Sequence, residues 1–225
     1  MNLGCHLSIA GGYHQAVHRA RELECQALQL FLGNPRQWHW REPSGQAIEL
    51  FRRAREEARL AVVAAHLSYL PNLAATAEPL AQQSWQRLQA ELALARRLGL
   101  DYLICHPGYA EEIAAACRRL ADGLARVVEA HPPPPLLLLE NTAGQRRELG
   151  RTWEELTAII KASGVPLGLC LDTAHAFAAG YDLRGSAGQE QIWQALQQGL
   201  GLAGLKVIHL NDSLYPCGSH RDRHW

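Results

Sequence analysis

Short apolar runs of strand length alternate with longer stretches in which apolar residues recur every three or four positions. Residues 3–6 read as a first strand, residues 8–12 as a tight glycine-containing loop and residues 13–23 as an amphipathic helix. The unit then repeats, with strands at 27–32, 61–65 and 102–105 and helices at 47–58, 79–98 and 111–130. The proline run at 132–135 cannot donate backbone hydrogen bonds, so it stops the fourth helix and leads into a fifth strand at 136–139. A helix at 152–163 follows, opened by Thr152 with Glu155 at the capping-box spacing. A strand at 167–171, a helix at 189–200 and a strand at 206–210 complete the series, and a polar segment ends at Trp225. Seven strands and six helices in strict alternation predict a parallel sheet with right-handed crossovers. So many units in one chain favour a TIM-type (β/α)8 barrel, here with its eighth strand absent, as a single domain over residues 1–225.

The residues that close the apolar runs carry the chemistry. Asp172 ends a run (Leu169, Cys170, Leu171) that reads as a strand covered on both faces, where an ionised carboxylate is costly unless it is paired or bound to a cation. The simpler alternative is an Asp that caps the following helical turn. His6, His66, His106, Glu140 and His209 stand at the same place after five other strands, and the second strand alone lacks such a residue. His, Asp and Glu make up only 33 of the 225 residues, so hits on five consecutive strands are not accidental. In a barrel these ends converge on one face, the face on which active sites of that fold are built.

Imidazoles mixed with carboxylates suit zinc, with manganese or iron as lesser candidates, because calcium and magnesium prefer oxygen throughout. His175, and the pair Asp222 and His224 at i and i+2, add further ligands. That is more than one tetrahedral zinc can use, which implies two or three metals, the usual apparatus of phosphate-ester hydrolysis.

Composition narrows the partners. The 22 basic and 22 acidic residues cancel, so a polyanion must be met by a local patch and not by global charge. Six cysteines form no CxxC pair, and disulfides are not expected; Cys105 and Cys170 read as core thiols beside ligands. The chain shows no secretory leader and no apolar run of membrane-spanning length, so no membrane partner and a cytoplasmic address are expected.

The ordered motifs His6-Leu7-Ser8 with Gly11-Gly12, NPRQW at 34–38, HLSYLPNL at 66–73, HPG at 106–108, ENTAGQ at 140–145, LDTAHAFAAGYD at 171–182, HLNDS at 209–213, and Gly218-Ser219 with Asp222-Arg223-His224 resemble the endonuclease IV (deoxyribonuclease IV) family of zinc-dependent abasic-site endonucleases. The resemblance implies a TIM barrel with three zinc ions. His66, His106 and Glu140 would hold one. Glu140 would bridge to a second, held also by Asp172 and His209, the three residues expected to carry catalysis. His175, Asp222 and His224 would hold the third. It implies hydrolysis of the phosphodiester 5′ to an abasic site in damaged double-stranded DNA, leaving a 3′-hydroxyl, as a step of base excision repair. A metal-bound hydroxide would be the nucleophile. Arg36, Tyr69 and Leu70 match loops that enter kinked DNA at the lesion, and His6 is expected to orient a ligand and not to touch metal. Trp38 and Trp40 are either a stacking patch or packed under a loop.

In two places the chain departs from the family pattern: His220 stands where a basic residue is usual, and the segment after Gly108 runs quickly into helix. The family pattern also continues past DRH through a helix and an eighth strand ending in a glutamate that completes the middle zinc, which this sequence lacks. A slow enzyme, a monomer that associates through the open barrel edge, or a non-catalytic lesion-binding remnant are the expectations that follow. The rival of another class is a divalent-metal sugar isomerase or epimerase on the same barrel.

Overall fold

Parallel strands need long crossovers, and the apolar stripes of the helices supply them. The computed structural model describes residues 1–39 and 41–225; Trp40 of the expected stacking patch lies outside the described residues. The chain divides into two compact units, Met1–Pro71 with Gln83–Ile104 and His131–Leu136, and Asn72–Gln82 with Cys105–Ala130 and Leu137–Trp225.

In the first unit β1 (Gly4–His6), β2 (Ala27–Phe31), β3 (Val62–His66) and β4 (Tyr102–Cys105) pair in parallel in chain order, with Cys5 opposite Leu28, Phe31 opposite His66 and His66 opposite Ile104. Helix α1 (Tyr13–Glu22) buries Ala16, Val17 and Ala20 against α2 (Gly45–Ala58), whose Phe51 is fully buried and edge-on to Tyr13. Ser44 caps α2 by accepting from the Ala47 N–H at 3.2 Å, and Arg59 closes it in the left-handed conformation. Helix α3 (Leu80–Leu98) buries Leu88, Leu92, Ala95 and Leu98, together with Arg87 and Glu91.

In the second unit β5 (Leu136–Glu140), β6 (Gly168–Asp172) and β7 (Leu205–His209) pair in parallel, with Glu140 opposite Cys170 and Asp172 opposite His209. All five residues of β6 are buried, as its uncharged run predicts. Helices α4 (Ile113–Ala130), α5 (Trp153–Ser163) and α7 (Ser186–Gly199) supply Leu120, Leu124, Leu156, Ile192 and Leu196 to the core. Thr152 caps α5 by accepting from the Glu155 N–H, while the Glu155 carboxylate turns back to the amides of Gly150 and Arg151.

Seven parallel strands stand as the pattern predicts, and an eighth is absent among the described residues. The helix count needs correction: α6 (Thr173–Ala179) brings the α-helices among the described residues to seven. Seven residues are too few to show a helical period, and the helix exists because the Asp172 carboxylate accepts from the His175 N–H at 2.9 Å. Asp172 is therefore the capping residue of the simpler reading, and it remains a candidate site residue as well. His66, Glu140, Asp172 and His209 are also the last residues of their strands, not the ones after them.

Candidate metal centre

The parallel register of the second unit sets Glu140, Asp172 and His209 at the ends of three neighbouring strands. Glu140 and Asp172 are each 1% exposed, and both face imidazoles. One Glu140 oxygen lies 3.1 Å from His106 Nε2; the other lies 2.8 Å from His209 Nδ1 and 3.6 Å from His175 Nδ1. The two oxygens thus face different imidazoles.

A second group forms around α6. His175 Nε2 is 3.3 Å from Asp222 Oδ1, His224 Nε2 is 3.4 Å from the same oxygen, and Asp172 Oδ2 is 3.7 Å from His224 Nε2. Ligand atoms of Asp172, His175 and His224 lie within 4.8 Å of one another, as do those of Glu140, Cys170 and His209. Segment 222–224 is extended, with His224 bridged antiparallel to Ser213, so Asp222 and His224 share a side as their spacing implies.

His175 Nδ1 is 2.9 Å from the Asn141 carbonyl, which can only accept, so Nδ1 carries a proton and Nε2 is the nitrogen that faces Asp222. Burial pushes its pKa down, but the Asp222 hydrogen bond and the charges of Asp172 and Glu140 outweigh this and raise it to about 10. The same hydrogen bond lowers the Asp222 carboxyl against its partial burial. Without metal the two form a charged pair. Burial first, and then the Glu140 and Asp172 carboxylates, push the Cys170 thiol well up in the metal-free chain, where it lies 3.6 Å from His209 Nδ1.

Residues that were not singled out hold the candidate ligands in place. Asn141 clamps the Asp172 backbone from both sides: its Nδ2 donates to Asp172 O at 3.0 Å and its Oδ1 accepts from Asp172 N at 2.7 Å. Asn211 Nδ2 donates to Asp172 Oδ2 at 2.6 Å, and its backbone is tied to the Thr173 hydroxyl. The available signal was adjacency, since Asn141, Thr173 and Asn211 each lie within two residues of a strand-end ligand. Gly108, two residues past His106, has φ +99°, and a Cβ there would sit 2.2 Å from Asn72 Oδ1, so the loop closes only around glycine.

Beside Asp222 a cavity of about 650 Å³ is lined by Gln145, Arg146, Tyr215, Arg221 and Arg223. Its three arginines make it locally basic on a chain whose net charge is zero. His220 lines it as well, but its Nδ1 donates to Ala143 O and its N–H to Ala178 O, which makes it an anchor of the C-terminal segment.

The remaining candidates stand in the first unit. His66 is buried at the end of β3, with Nδ1 donating to Leu67 O at 2.8 Å. His6 is exposed, its ring lies 4.5 Å from that of Phe31 at a tilt of 50°, and it pairs with the Gln29 side chain at 3.1 Å. Arg36 is exposed and Leu70 half-buried, while Tyr69 is 64% exposed, with its N–H on Pro35 O and its ring 5.1 Å from Phe31.

The family described as xylose isomerase-like TIM barrel matches residues 17–225. The probable endonuclease 4 of Halorhodospira halophila is 42% identical over 228 residues, covering 99% of this chain and 77% of its own. The crystal structure of endonuclease IV from Thermus thermophilus superposes with a TM-score of 0.90 at 37% identity, over all of this chain and 81% of that one. A D-tagatose 3-epimerase-like protein follows at a TM-score of 0.68 and 20% identity, over 94% of this chain and 76% of its own, a likeness of fold alone. The barrel expected from the alternation is therefore the fold of this chain.

Proposed function

Because the chain belongs to the endonuclease IV family, we propose that it is a DNA-repair nuclease that hydrolyses the phosphodiester 5′ to an abasic site in double-stranded DNA and leaves a 3′-hydroxyl. The observation that carries the reading is Glu140 between His106 and His209, with Asp172, His175, Asp222 and His224 alongside. Buried carboxylates gathered with imidazoles offer the oxygen and nitrogen donors that zinc takes, so the donor set fits zinc.

The reading calls for three ions, as the family resemblance implies. His66, His106 and Glu140 would hold the first, Glu140, Asp172 and His209 the second, and His175, Asp222 and His224 the third. When bound, zinc supplies the Lewis acidity that makes water acidic near neutral pH and offsets charge on a phosphoryl group.

The chain's own residues do the rest. Asn141 and Asn211 keep Asp172 aimed, and the Asn141 carbonyl keeps the His175 ring turned toward Asp222. Arg146, Arg221 and Arg223 line the cavity in which a phosphate backbone would be neutralised. Arg36, Tyr69 and Leu70 would enter the duplex at the lesion, where the missing base makes bending and wedging cheap. His6 would act through its neighbours and not on metal. A cytoplasmic monomer belongs to the same reading; no described helix is long and apolar enough to cross a membrane.

The test is nicking of a duplex that holds one abasic analogue, with metal content measured in parallel. One cut 5′ to the lesion, lost on chelation together with thermal stability and regained with zinc, is expected. A chain loaded with three metals that makes no cut, or a chain with one metal that epimerises a ketose, overturns the reading.

A further inference from the structure

Helix α3 carries an ion pair whose place its sequence does not announce. Arg87 and Glu91 are four residues apart, a spacing that on a helix surface contributes only a few tenths of a kcal/mol. Here the two side chains are 4% and 1% exposed, and Arg87 Nε lies 2.6 Å from Glu91 Oε1. Burial raises the Glu91 carboxyl while the Arg87 charge and hydrogen bond draw it back.

Both partners reach out of the helix to loops. Arg87 Nη1 donates to the carbonyls of Gln37 at 3.1 Å and Trp38 at 2.9 Å, directly after Arg36. Glu91 Oε1 accepts from the Ser68 N–H at 3.4 Å, directly before Tyr69. The loops also bind each other through the Tyr69 N–H and Pro35 O at 3.0 Å. Apolar residues would fill the same space without desolvating two charges, and such replacements are often neutral or stabilising. What apolar residues cannot do is satisfy loop carbonyls and a loop amide that lie outside helix and strand ladders.

We infer that Arg87 and Glu91 are a positioning pair for lesion recognition, one ion pair fixing the backbones of both loops so that the exposed side chains of Arg36 and Tyr69 are presented at set positions. The inference rests on the nuclease reading for its purpose, and on the first unit alone for its geometry.

The test uses the full zinc-loaded chain and the variants Arg87→Met, which keeps the stem and removes the donors, and Arg87→Lys. Kinetics are read on abasic duplex and on bis(4-nitrophenyl) phosphate, a diester too small to need the loops. Backbone hydrogen exchange is followed at 34–38 and 68–70. Arg87→Met is expected to raise KM for the duplex by roughly ten- to a hundredfold, the scale of an ångström-sized misplacement. Zinc content and the small-diester rate should stay level, exchange should quicken in both loops, and Arg87→Lys should recover part of the KM. Unchanged KM, or equal losses on both substrates, overturns the inference. Should Arg87→Met fail to fold, the volume-keeping double variant Arg87→Met/Glu91→Leu takes its place under the same criteria. If the wild-type chain cuts no abasic DNA, the nuclease reading falls, and loop exchange alone then decides: faster in both loops upholds the anchoring, and unchanged exchange overturns it.

Discussion

Replacing Asn141 with alanine isolates the clamp on Asp172. The side chain makes two buried hydrogen bonds, at 2.7 and 3.0 Å, to the N–H and C=O of one residue at the end of β6. Alanine leaves both groups without that partner in a site where Asp172 is 1% exposed. Each stranded buried group costs about 1–3 kcal/mol, and entry of water recovers part, so a net loss of about 2–4 kcal/mol is expected in the metal-free chain. For a chain of this size that is roughly 5–15 °C in Tm. Zinc affinity should fall about ten- to a hundredfold, the usual consequence of removing a group that orients a ligand. The Asn141 carbonyl is untouched by the substitution, so the His175 ring keeps its orientation and the affinity loss should be confined to the ions that Asp172 serves. Denaturant unfolding in chelator measures the first quantity and zinc competition the second. A stability change below about 0.5 kcal/mol, the range of an ordinary surface substitution, would refute the clamp.

Three further outcomes concern pH and the lesion loop. Without metal, His175 is raised from its ordinary 6.5 to about 10, so its stabilisation is fully present below pH 6.5 and is lost as pH rises through about 10; Asp222 is lowered, so its share is present above 3.8 and is lost as pH falls through its folded value. Coordination needs neutral His175, so zinc affinity at that site should rise about tenfold per pH unit between pH 7 and 9 as one proton is released, and pH-independent competition titrations would contradict this. Tyr69→Ala should weaken binding to abasic duplex by about 1–3 kcal/mol with zinc content unchanged, whereas a variant that loses zinc or unfolds marks Tyr69 as structural.

The alternation of strand and helix periods, and the ligand-type residue closing six of seven strands, were set down in the sequence alone, because both depend on short-range patterns. Given parallel strands, the convergence of Glu140, Asp172 and His209 followed from topology. Other features waited for tertiary structure. That Asp172 caps a helix does not exclude the site reading, since only one of its oxygens accepts from the His175 amide while the other faces the Asn211 side chain. Asn141 reads as one polar residue in a motif until register sets it beside Asp172 on the next strand. Arg87 and Glu91 carry the spacing of an exposed helical ion pair, and only packing shows that they are buried against two loops. In each case sequence states which groups are available, while burial and cross-strand distance, which sum contacts far apart along the chain, decide what those groups must satisfy.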